Sequence, residues 1–139
     1  MKVLLDTNVL IGFFRNADQW EEFELRASRP LVFLSSVVVL ELFAGCRKPR
    51  QEKALERFLK PFQKAGRLIT PDHGSFREAG RVLAKLGQEG LASGRLRQIV
   101  NDVLIAVTAT KSGLVLVTAN KRDFLLIEKY IPVRWMLPG

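Results

Sequence analysis

Cysteine occurs once in this chain, at Cys46, and histidine once, at His73. A lone thiol closes no intrachain disulfide, so packing alone must hold the fold, and the chain suits a reducing cytoplasm. A reactive thiol is the weaker reading of Cys46. His73 lies in the turn-like segment PDHG, away from every apolar motif, which is a poor setting for a general base. No apolar run reaches the length of a membrane span. The N-terminal run is broken by Asp6 and Asn8 and preceded only by Lys2, so it does not read as a signal peptide. Acids are the minority charge, 14 Asp plus Glu against 22 Lys plus Arg, and the net charge of +8 favours a polyanionic partner, nucleic acid ahead of membrane. Repeats, low-complexity tracts and linkers are missing as well. The 139 residues read as one domain, residues 1–139, able to bury roughly two-thirds of its unfolded surface.

What is present is an alternation of apolar strand-like runs with helical patterns, the grammar of an α/β fold with a mainly parallel sheet. KVLL, LVFL, RLIT, LVLV and VRWM read as strands, RLIT at a sheet edge. Helices are expected from Thr7 to about Arg15, through Trp20, Phe23 and Ala27, across VVVLELFAG, from Gln51 with Pro61 kinking or ending it, and from about Ser75. A further helix is expected from about Ile99 to Lys111, closed by Gly113, and a short one through Leu125 to Tyr130. The glycines at 87, 90 and 94 mark the connection before Ile99 as the most mobile, a basic loop carrying Arg95 and Arg97.

Four acids stand where charge is costly. Asp6 ends the first strand, Asp123 follows the strand LVLV, and Glu41 and Asp102 interrupt otherwise apolar helical runs. Buried charges need partners. Each acid has a plainer explanation: Asp6 as an N-cap, Glu41 on an exposed helix edge, Asp102 as a first-turn acid favoured by the helix dipole, Asp123 as a turn residue. Their common placement argues against all four at once. In a parallel sheet, strand ends and early helical turns meet at the C-terminal rim, where ligands bind. Two unit charges about 4 Å apart repel by roughly 4 kcal/mol at an effective dielectric near 20. Such a cluster must take up protons or hold a cation, and an all-oxygen set without Cys or His suits Mg2+ or Mn2+ rather than zinc. A water activated by that ion would attack a phosphodiester. With the basic surface, this predicts a metal-dependent nuclease.

The same residues resemble a known family. LLDTNVLIGFF, SSVVVLELFAG, NDVLIAVTAT and LVTANKRDF are similar, in this order, to the four motifs of the PIN domain, and within it of the VapC-type ribonuclease toxins. The resemblance spans essentially the whole chain. It implies a five-stranded, mainly parallel sheet flanked by helices in a three-layer arrangement. It also implies that Asp6, Glu41, Asp102 and Asp123 are catalytic and hold the metal, Glu41 either binding it or orienting the attacking water, with Thr7, Asn8, Thr118 and Asn120 as polar supports. The expected activity is Mg2+- or Mn2+-dependent endoribonuclease cleavage leaving a 3′-hydroxyl and a 5′-phosphate. The expected partners are RNA, a second copy of the chain in a homodimer, and a small antitoxin lying across the acids.

Arg77, Arg81 and Lys85 form a stripe at i, i+4 spacing which, with Arg95 and Arg97, supplies candidate RNA contacts; a solvated helix face is the plainer reading. Phe13, Phe14, Trp20, Phe43 and Trp135 read as core or dimer interface before base-stacking platforms. Rival functions are a stand-alone RNA-processing nuclease and a non-catalytic RNA-binding module, which would gain nothing from clustered acids. A phosphoryl-receiving domain would want paired acids after the first strand, where this chain has Asp6 followed by Thr7.

Overall fold

The computed structural model describes residues 1–139. The elements follow in the order β1 (Lys2–Leu5), α1 (Thr7–Arg15), α2 (Ala17–Arg26), β2 (Leu31–Ser35), α3 (Ser36–Ala44), α4 (Pro49–Lys64), β3 (Leu68–Ile69), α5 (His73–Gln88), α6 (Ser93–Lys111), β4 (Val115–Val117), α7 (Lys121–Ile127) and β5 (Trp135–Met136). The five strands form one sheet in the order β3-β2-β1-β4-β5, and every pairing is parallel. β1 is central, and Val3, Leu4 and Leu5 are at most 1% exposed, as expected of a parallel strand covered on both faces.

This order fixes where a site can form. The chain steps from β1 outward through β2 to β3, then returns to the other side of β1 for β4 and β5. The reversal between β1 and β4 opens a crevice at the carboxyl ends of these two strands, since their following segments diverge. Asp6 sits there, its N–H donating to the Val117 carbonyl at 2.9 Å.

The sheet is all-parallel, and most expected elements are found within a few residues. α6 differs most. It begins at Ser93, six residues before the expected Ile99, so Gly94, Arg95 and Arg97 lie in its first turns rather than in a loop. One glycine costs a helix only about 1 kcal/mol relative to alanine, and Leu96, Ile99 and Val103 continue the apolar stripe. α5 and α6 pack tightly where this begins: a Cβ on Gly87 would lie 3.2 Å from the Leu96 side chain, so glycine there permits the approach. The early start also places Asp102 in the middle of α6, and Glu41 is likewise past the first turn of α3. Helix-dipole stabilisation in a first turn therefore explains neither acid. From Val103 to Ala109 α6 is buried without interruption, which makes it the central helix of its layer.

Pro61 does not end α4, which runs on to Lys64. The carbonyl freed by the missing N–H belongs to Arg57, an exposed residue, where water can satisfy it. α5 starts two residues early, at His73, because the Asp72 carboxylate caps it, accepting from the Ser75 N–H and hydroxyl, both at 2.8 Å. Gly113, at φ +67°, follows α6 as its left-handed cap. The aromatics pack rather than present a platform: Phe13 meets Trp20 edge-on at 5.3 Å, and Phe58 bridges Phe14 and Phe62. Phe14 remains about half exposed. Phe43 and Trp135 are half-buried against the core.

Candidate active site

Each acid reaches the crevice from a different element. Asp6 closes β1 and caps α1: one carboxylate oxygen accepts the Thr7 N–H at 2.8 Å, the other the Thr118 hydroxyl at 2.8 Å and the Asn8 amide at 3.4 Å. A cap alone would leave the second oxygen to solvent, yet Asp6 is only 3% exposed. Glu41, from α3, accepts the Thr7 hydroxyl at 2.8 Å, so Thr7 ties the first two acids together.

The turn after β4 ties in the others. Thr118, fully buried, donates to Asp6 and accepts the Asn120 N–H at 3.0 Å. The Ala119 N–H donates to the Asn8 side chain at 3.1 Å. The Asn120 side-chain amide donates to both Asp102, at 3.0 Å, and Asp123, at 2.7 Å. Its oxygen caps α7, accepting the Asp123 N–H. All four residues expected as polar supports thus link the acids of one crevice. Hydrogen bonds of this kind orient carboxylates, and buried polar groups left without them would cost about 1–3 kcal/mol each; none is left without a partner here.

The electrostatics are those of crowded carboxylates. Burial pushes the Asp102 carboxyl up to about 8, reinforced by Asp123 beside it and by the charges of Asp6, Asp123 and Glu41. Burial also raises Asp6, against the opposing bonds from Thr118 and Thr7, with the Glu41 charge adding to the rise. Asp123 goes the other way: burial would raise it, but hydrogen bonds from Arg95, Asp102 and Asn120 together hold it below the usual carboxylate range. The donor set is all oxygen, which fits a small hard cation, and its repulsion is what such a cation would relieve. As they stand, no three of these acids are poised around a single ion.

Of the basic residues, Arg77, Arg81, Lys85 and Arg97 are exposed, while Arg95 is folded onto Asp123 in an ion pair. Sequence reading missed that pair; its signal was the seven-residue spacing of Arg95 and Asp102, which puts both on one face of α6. Beside Glu41 lies a groove of about 620 Å3 lined by Ile11, Phe14, Arg15, Leu42, Cys46 and Phe58 among others. His73 is exposed at the first residue of α5. No helix is long and apolar enough to cross a membrane.

Comparison with known proteins gives the chain's family and relatives. The model of the PIN domain family matches residues 3–129. Ribonuclease VapC2 of Haemophilus influenzae is 32% identical over 142 residues, covering 96% of this chain and 96% of that protein. The tRNA(fMet)-specific endonuclease VapC of Shigella flexneri is 29% identical over 126 residues, covering 89% of this chain and 90% of that protein. Among solved structures, VapBC2 from Rickettsia felis bound to a DNA fragment from its promoter contains a chain that superposes with a TM-score of 0.68 at 26% identity, covering 99% of this chain and 98% of that one.

Proposed function

Because the chain belongs to the PIN domain family, we propose that it is a VapC-type endoribonuclease, the toxin of a VapBC-like pair, cutting RNA at the β1–β4 crevice. The observation that carries this reading is the Thr118–Asn120 turn, which braces Asp6, Asp102 and Asp123 at once. A non-catalytic binder of phosphate would have no use for buried carboxylates braced in this way. Asp6, Glu41, Asp102 and Asp123 are the catalytic acids and would hold Mg2+ or Mn2+. That ion, when bound, supplies Lewis-acid activation of the attacking water and charge for the phosphate.

The remaining chemistry belongs to the chain's own residues. Thr118, Thr7 and Asn120 fix the acids so that their charge is presented rather than rotated away. Asp102, whose carboxyl burial pushes up to about 8, would hold the ion in its deprotonated form. Glu41, which lines the groove beside the crevice, would bind the ion or orient the attacking water. Arg77, Arg81, Lys85 and Arg97 offer phosphate contacts outside the crevice. A small VapB-type antitoxin and a second copy of the chain are the protein partners, in the cytoplasm, with residues 1–139 acting as one domain.

The test is cleavage of a mixed RNA substrate by the purified chain with Mg2+ or Mn2+, beside Asp6→Asn and Asp102→Asn, with EDTA as control. Metal-dependent cleavage that both variants lose supports the reading. A folded, metal-replete wild type that neither cleaves RNA nor binds the ion overturns it.

A further inference from the structure

The charge pattern within the crevice is uneven. Asp6, Glu41 and Asp102 accept only from neutral donors: hydroxyls, side-chain amides and a backbone N–H. Asp123 alone meets a cation, Arg95. The chain has one other ion pair, between Lys111 and Asp72, and it lies at the start of α5. The Arg95 side chain is 20% exposed and that of Asp123 9%, so the contact is drier than an ordinary surface pair.

Its placement is also costly. Arg95 stands in the first turn of α6, whose preceding residue, Ala92, supplies no side-chain cap. A cation at that end opposes the helix dipole. Seven residues on, Asp102 lies on the same face, about 10 Å along the axis, so the guanidinium reaches over the acidic end of the crevice to the α7 carboxylate. A side chain needed only to solvate the surface would gain nothing from this position.

We propose that Arg95 is a tethered counter-cation of the acidic site: it holds Asp123 in the metal-free protein and competes with an incoming divalent cation for that carboxylate, thereby setting the metal affinity. Arg95 is a positioning residue that acts through Asp123. The inference rests on the reading of the acids as a metal site. It gives the fourth acid two states, paired with Arg95 or released to the ion.

The experiment is a Mn2+ titration of the full metal-free chain, followed by electron paramagnetic resonance, for wild type, Arg95→Gln, Arg95→Lys, Asp123→Asn and the Arg95→Gln/Asp123→Asn double variant. Circular dichroism verifies folding, and because Arg95 is partly exposed, Gln at 95 leaves the core untouched. Arg95→Gln is expected to bind Mn2+ on the order of fivefold more tightly, the scale of removing one nearby like charge in a partly solvated site. Arg95→Lys should stay near wild type, and the gain should vanish when Asp123 is already Asn. Unchanged or weaker Mn2+ binding in Arg95→Gln beside a wild type that binds overturns this inference and leaves the nuclease reading standing. A folded wild type that binds no Mn2+ overturns both.

Discussion

The two sides of the crevice hold their acids by different chemistry. On the strand side, Asp6 at the end of β1 and Glu41 of the adjoining α3 are braced by Thr118 and Thr7 hydroxyls, Asn8 and a backbone N–H. On the helix side, Asp102 and Asp123 share the Asn120 amide, and Asp123 also takes the Arg95 guanidinium. A neutral donor orients a carboxylate while leaving most of its charge in place; a guanidinium orients it and cancels the charge. The strand side therefore meets an incoming cation with no positive charge set against it. The helix side carries a guanidinium on Asp123 and, in Asp102, a carboxyl that burial pushes up to about 8.

The largest break of this contrast is removal of a strand-side charge. Asp6→Asn keeps the cap geometry and should lower RNA cleavage by on the order of a thousandfold, the range seen when one preorganised stabiliser of a transition state is lost. Asp123→Asn, at an acid that the ion gains only in competition with Arg95, should cost distinctly less in the same assay. Equal losses would erase the distinction between the two sides.

Next in size is Thr118→Val, which keeps shape but strips a hydroxyl that serves both sides. It leaves the buried Asp6 carboxylate and the Asn120 N–H each short of a partner, for a loss of about 1–3 kcal/mol in urea denaturation. A slow fall of metal-free stability with rising pH should follow from Asp102. This acid holds its proton more tightly in the folded chain, with a value of about 8, than in the unfolded chain, near 4. Protonation therefore favours the fold: the contribution is complete below about pH 4 and is lost as pH climbs through about 8. Denaturation midpoints measured in EDTA across that range should slope downward, and Asp102→Asn should flatten the slope. The smallest effect belongs outside the crevice. Asp72, held at about 2 chiefly by its hydrogen bonds from Ser75, caps α5, and Asp72→Ala should lower Tm by a few degrees with no change in cleavage. Its contribution is present above pH 4 and disappears only as pH falls through about 2, the opposite sense to Asp102.

Much of this was legible in the residues, for a physical reason. Each of β1 and β4 is an apolar run that stops at a polar residue, and an acid lodged in apolar sequence, like Glu41 or Asp102, signals a site because burial of charge is costly. Such signals are local. What escaped reading was long-range or depended on weak preferences. The Arg95–Asp123 pair joins residues 28 apart in sequence, and the seven-residue spacing of Arg95 and Asp102 signals only their common face, not the partner on α7. The start of α6 turned on a helix tolerating Gly94, a backbone-propensity cost of about 1 kcal/mol, and on Gly87 admitting the Leu96 side chain. β3 and β5, two residues each, carry too little pattern to bound.

The bond from the Asp6 N–H to the Val117 carbonyl has a kinetic meaning. It is the last rung between the two central strands, and Asp6 is buried beside it, so its amide proton should be among the slower ones in the chain to exchange. The acid proposed for the centre of the chemistry is thus tied to a part of the protein that opens late. Fraying or local melting offers no route to silence such a centre, and a partner that restrains it must do so by occupying the crevice while the fold beneath stays intact.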